Sequence, residues 1–258
     1  MKRIALASAL ALMVLGVGAA QAADPCSVTL TSPVAGAILR GTVTVGWTFS
    51  PGSPPGSYCL PGADATVQLR KSPNGNSFDD LGTVSAAGGS FSWDTTTVKD
   101  LATYSLRIRV PKVNGSSVFS NVVGVTVDNT APEAIVNSPL PSPADDVCAA
   151  AASDTLESCQ TPLLVRASAP DLGYDGSALN GVAYDNLSGV AAVAVTATND
   201  EGTTQLAVTC SSCSAYYTSG TIWSAHIADL PSGLTTFTIS TTDRVGNQGE
   251  MSATFLLV

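Results

Sequence analysis

Along most of this chain apolar residues alternate with small polar ones in short runs. GTVTVGWTF, Gly41 to Phe49, sets Val43, Val45 and Trp47 on one face, the period of an inner strand with one side buried. In the first half the same pattern predicts strands at SVTLTSP, Thr66 to Arg70, Leu81 to Ser85, Ser90 to Trp93, Thr103 to Val110 and Val118 to Val127, which with Gly41 to Phe49 makes seven. In the second half it predicts Leu163 to Ala167, Val190 to Thr198, Leu206 to Cys210, Ile222 to Ile227, Phe237 to Thr241 and Ala253 to Val258. Gly, Pro, Ser and Asn separate these runs, and no segment keeps a helical period, so the chain reads as all-β.

VDNTAP, Val127 to Pro132, divides the chain. The alternation of SNVVGVTV ends at Asp128 and Asn129. Pro132 has no N–H and holds Ala131 extended, so a linker this short confines the two halves to a narrow range of angles. The expected organisation is a first domain over 24–128, a linker at 129–132 and a second domain over 133–258. The second carries an insertion at 138–160, rich in Pro and Ala.

The halves repeat one plan. Trp93 precedes Asp100-Leu101 and Tyr104, and Trp223 precedes Asp229-Leu230 and Phe237 at nearly the same spacing. Each then enters an alternating strand, SLRIRV or FTISTT. About a hundred residues with seven antiparallel strands fit two packed sheets, an immunoglobulin-type sandwich, and Tyr104 stands where a tyrosine corner bonds its hydroxyl to nearby backbone. Phe237 fills the equivalent space without that bond.

The first residues, Lys2 and Arg3, the apolar run Ile4 to Ala20 and then Ala20-Gln21-Ala22, read as a signal peptide over 1–22 that is removed on export. Its loss leaves nine basic residues against twenty acidic, moving the formal charge from −9 to −11. Such a surface repels phosphate, which argues against nucleic acid and anionic membrane as partners and makes multivalent cations the natural counter-charge. All six cysteines follow the leader, as expected of disulfides in an exported chain. Of fifteen connectivities the simplest joins Cys26 to Cys59, Cys148 to Cys159, and Cys210 to Cys213.

Candidate chemistry is sparse. The CSSC motif of Cys210 to Cys213 lies between β-type segments rather than at a helix N-terminus, which favours a structural disulfide over a redox dithiol. A zinc site using Cys148 and Cys159 as well lacks a second close pair. His226, the only histidine, alternates within a strand, and neither a Gly-x-Ser-x-Gly elbow nor an HExxH motif accompanies it. No catalytic residue is therefore assigned, and the chain reads as a non-enzyme. A glycan platform would have to come from Tyr174, Tyr184, Tyr216 and Tyr217 in loops. Three loops carry acids beside amides: Asp128-Asn129, Asp185-Asn186, and Asp243 with Asn247. Hard oxygen donors of this kind suit calcium, and the same residues are also ordinary turn formers.

Trp with Asp-Leu and YSLRIRV, the VDNTAP junction, AYDNLSGVAAVAV and TTDRVGNQG together resemble the tandem Ig-like domains of bacterial secreted and cell-surface proteins. The resemblance covers most of the mature chain; the Cys148 to Cys159 insertion departs from it. It implies a non-catalytic exported module acting in adhesion or as a spacer, or alternatively an accessory module binding carbohydrate or protein. It also implies structural calcium at Asp128, Asp185 and Asp243 as the one cofactor, and a secreted, periplasmic or surface location.

Overall fold

The computed structural model describes residues 25–53, 58–71, 77–138, 163–164, 178–211, 213 and 220–257. The leader over 1–22, Cys148 and Cys159 lie outside these residues.

Alternation in sequence becomes alternation in burial. The first nine strands are β1 (Ser27–Ser32), β2 (Ile38–Leu39), β3 (Thr42–Ser50), β4 (Asp64–Lys71), β5 (Asp79–Ser85), β6 (Ser90–Asp94), β7 (Leu101–Pro111), β8 (Ser117–Phe119) and β9 (Val123–Val127). They form one sheet ordered β1-β3-β6 and a second ordered β2-β9-β7-β4-β5, with β8 on β7. Val45 and Trp47 point inward from β3, and Tyr104, Leu106, Ile108 and Val110 from β7, all buried. The Trp47 indole donates to the Ala86 carbonyl at 2.9 Å, satisfying the polar edge of a buried ring. The Tyr104 hydroxyl donates to the Lys99 carbonyl at 2.7 Å, closing the predicted tyrosine corner.

The second set is β10 (Glu133–Ser138), β11 (Leu163–Leu164), β12 (Ala178–Tyr184), β13 (Val190–Asn199), β14 (Gly202–Gln205), β15 (Val208–Cys210), β16 (Thr221–His226), β17 (Gly233–Asp243) and β18 (Gln248–Leu257). Its sheets run β10-β12-β16-β15 and β11-β18-β17-β13-β14. Apart from β8 and β15, which have no counterparts among the described residues, this is the first plan again, with a parallel pair at the same place: β2 on β9 in the first set, β11 on β18 in the second. Trp223 and Phe237 fill the second core, and Phe237 packs against Phe255 with ring centroids 6.0 Å apart. Gly181 pairs with Trp223 across β12 and β16, and a Cβ there would collide with the Ile135 carbonyl and the indole. Each set encloses its own apolar cluster, and the two clusters share no residue.

Three expectations need correction. Val118 to Val127 is two strands, because the Ser120 hydroxyl accepts the Ile108 N–H at 2.9 Å and replaces a ladder bond between β8 and β9. Among the described residues the first half therefore has nine strands rather than seven. β10, β12 and β14 were not predicted; Gly181 and Asn180 dilute the apolar signal of β12, and β14 is exposed at every position. The loop from Pro51 to Gly62 is stapled as expected by Cys26–Cys59, while the Cys59 N–H donates to the Pro51 carbonyl at 2.8 Å.

Candidate functional site: the junction between the sandwiches

Asp128 follows the last residue of β9, and its N–H still donates to the Leu39 carbonyl, so its backbone belongs to the first sandwich. Its side chain reaches the second. The carboxylate accepts the Ser188 N–H at 3.0 Å and the Thr130 N–H at 3.3 Å, and the Asp128 carbonyl accepts the Asn247 amide at 3.0 Å. Asn129 is fastened backward: it accepts from the Gly41 N–H and the Thr95 hydroxyl and donates to Asp100, which also takes its backbone N–H at 2.9 Å. The Thr130 hydroxyl donates to the same Asp100. Pro132 is held forward, its carbonyl accepting the Thr241 hydroxyl at 2.9 Å. A Cβ on Gly249 would strike that carbonyl, so only glycine admits this approach.

The two acids of the second sandwich organise their own loops. Asp185 Oδ1 gathers the N–H groups of Leu187, Ser188 and Gly189. Asp243 Oδ1 takes those of Val245 and Asn247, and its Oδ2 takes the Asn247 amide. These are the turn geometries short acids favour. They also aim Asp185 and Asp243 at Asp128. Each of the three offers one carboxylate oxygen, the three oxygens lie within 4.8 Å of one another, and all three residues are buried.

Burial pushes the Asp128 carboxyl above its ordinary value; hydrogen bonding from Ser188 and from the Thr130 N–H opposes this, and the charges of Asp185 and Asp243 add to it. The geometry fits a hard cation: oxygens bound at about 2.3–2.6 Å to one centre fall within such a spacing. Beside them a cleft of about 240 Å³ is lined by Asp100, Asp128, Thr130, Glu133, Tyr184 and Asp185 among others. Sequence reasoning had named Asp128, Asp185 and Asp243 and the amides beside them. It missed Asp100, Thr95, Ser188 and Thr241, which are separated along the chain and carry no local signal of a shared site. Asn186, named beside Asp185, is exposed.

The remaining candidates fall elsewhere. His226 ends β16, half exposed, 3.4 Å from the exposed Asp229. Cys210 and Cys213 are disulfide-bonded between β-type segments. Tyr184 donates to Glu133 at 2.6 Å, a bond that holds its own proton and raises its pKa. Tyr174, Tyr216 and Tyr217 lie outside the described residues.

No protein-family model matches this chain, and no curated protein matches it. Similar solved structures include the fibronectin(III)-like modules of Clostridium thermocellum CbhA, at 12% identity over 90% of this chain and 94% of that one, TM-score 0.34. A tetra-tandem repeat from the extending region of a large adhesion protein has 18% identity over 92% of this chain and 49% of that one, TM-score 0.30. A 1.5-MDa bacterial ice-binding adhesin has 14% identity over 91% and 65%, TM-score 0.32. The chain is a tandem of immunoglobulin-like sandwiches. That statement rests on its duplicated strand order.

Proposed function

We propose that this protein is a non-catalytic, exported spacer or adhesion module in which two Ig-like domains, residues 24–128 and 133–258, are held at one angle by their junction, with calcium as its structural ion. The observation that carries this reading is the placement of Asp128: its backbone ends one sandwich while its carboxylate and carbonyl bond the other. A spacer transmits position only if its joints resist bending. Here the joint combines a proline, hydrogen bonds that fix Asp128, Asn129, Thr130 and the Pro132 carbonyl, and three carboxylates whose repulsion a cation would turn into attraction. Asp128, Asp185 and Asp243 would supply the protein oxygens, and water the rest of the six to eight that calcium takes. The ion's contribution is charge neutralisation across the joint; the chain's own bonds set the angle.

Titration calorimetry on the chelator-treated protein tests this directly. One calcium site per chain, lost in Asp128→Ala, supports the reading. Absence of heat at millimolar calcium, together with a broad distribution of inter-domain distances, would overturn it.

A further inference from the structure

The outer face of the β4–β7 sheet is unlike the rest of this acidic chain. Outward positions Thr66, Gln68 and Ser105 are nearly fully buried although they point away from the core. What covers them is a laminate of planar groups. The Arg107 guanidinium lies 3.7 Å from the ring centroid of Phe78 and 4.2 Å from that of Phe119, and Arg70 lies 4.7 Å from Phe78. Arg107 Nε donates to Gln68 at 2.9 Å; Gln68 donates to Asp80, and Asp80 pairs with Arg109 at 3.4 Å. Arg107 is thus fixed by stacking on two rings and one hydrogen bond, while its two terminal nitrogens make no hydrogen bond among the described residues. Burial and the neighbouring charges of Arg70 and Arg109 lower its pKa, the mark of like charges crowded on one face. Phe119 remains 45% exposed beside it.

Charge is divided between the halves. Residues 24–132 carry seven acidic and seven basic side chains, whereas 133–258 carry thirteen acidic and two basic, a formal −11. The complement to the arginine face is therefore built into the other half of the same chain. A two-fold dimer through this face would set arginine against arginine, so the matching contact is head to tail. Among the described residues of that half, Asp200 and Glu201 are the two exposed acids that stand side by side in sequence. They form the two-residue turn between β13 and β14, both are exposed, and β14 is the outermost strand of its sheet.

We propose that the arginine–phenylalanine face of β4 and β7 is a docking surface for a second copy of this chain, receiving the Asp200–Glu201 turn of that copy in a repeating head-to-tail contact. Bidentate carboxylate recognition is what a pinned, planar guanidinium does well, and a lysine would not reproduce it. The contact pairs two different surfaces and leaves each copy of a dimer with one of them free, so association should continue beyond a dimer as concentration rises.

Sedimentation velocity on the leaderless protein tests this, in chelator so that junction calcium plays no part, at about 0.01 M and about 0.5 M ionic strength. The expected result is a sedimentation coefficient rising with concentration at low salt and not at high salt. Asp200→Lys with Glu201→Lys, at a turn that packs nothing, should abolish the rise, as should Arg107→Glu with Arg109→Glu. Mixing the two variants should restore association, through the intact face of one and the intact turn of the other, at least tenfold tighter than either variant alone. Circular dichroism of each variant separates lost contact from lost fold, and a failed fold in the arginine variant leaves the turn variant to decide. A single monomer species at every concentration in low salt would overturn the proposal. So would association that the turn variant leaves intact, or retention on a column of an acidic polysaccharide without any self-association.

Discussion

Replacing Asp128 with Asn changes one charge and almost no volume at a residue with no exposed surface. With oxygens within 4.8 Å, each carboxylate pair at this site repels by about 3.5 kcal/mol at an effective dielectric of 20. The substitution removes two such pairs. Against this, an amide can accept only one of the two N–H groups that Asp128 accepts from Ser188 and Thr130, a loss of about 2 kcal/mol. Without divalent ions Asp128→Asn should therefore raise stability by about 5 kcal/mol, roughly 10–20 °C in Tm for a chain of this size. With calcium at about a hundred times its Kd, the parent gains about 2.7 kcal/mol and the variant does not. Differential scanning calorimetry in chelator and in calcium should show the variant's lead shrink by about half when calcium is present. A variant less stable by the same margin in both buffers would refute the reasoning, for Asp128 would then be an N–H acceptor and nothing more.

The same site sets a pH dependence. Asp128 is raised above 3.8 in the folded chain, so the folded state binds more protons there than the unfolded state. This contributes stability that is present below the unfolded pKa and lost as pH rises through the folded one; in chelator the parent's Tm should fall over that window relative to Asp128→Asn. Tyr104→Phe should lose about 1 kcal/mol with its bond to Lys99, read by urea denaturation. Gly249→Ala, which presses on the Pro132 carbonyl, should cost about 1–3 kcal/mol and widen the distribution of inter-domain distances, whereas Gly181→Ala should cost as much without affecting the joint. Removing Cys26–Cys59, which spans 33 residues, should cost about 3.5 kcal/mol by loop entropy, and removing Cys210–Cys213, which spans 3, less than half that.

Much of the fold was legible because inner strands announce themselves. Val43, Val45 and Trp47 on β3, and Leu106, Ile108 and Val110 on β7, alternate because one side of each strand faces the other sheet. Edge strands do not: β14 reads GTTQ with no buried position, and β2 is two residues long. The tyrosine corner was readable from Tyr104 and its spacing. At the junction, Asp128, Asp185 and Asp243 could be named from residue type, but their convergence depends on how three loops meet. Asp100 joins Asn129 and Thr130 only in three dimensions. The arginine laminate was invisible for a related reason. Arg107 and Arg109 looked like solvent-facing alternates of SLRIRV, and Phe78 and Phe119 lie in flanking segments whose proximity follows from β4 and β7 pairing.

The central claim is that the joint holds one angle. Pulsed dipolar spectroscopy between spin labels at the exposed positions Thr48 and Thr203, one in each sandwich, measures it most directly. The account predicts a single distance population that narrows when calcium is added to the parent and does not respond in Asp128→Ala. A broad distribution, unchanged by calcium and by that substitution, would contradict it.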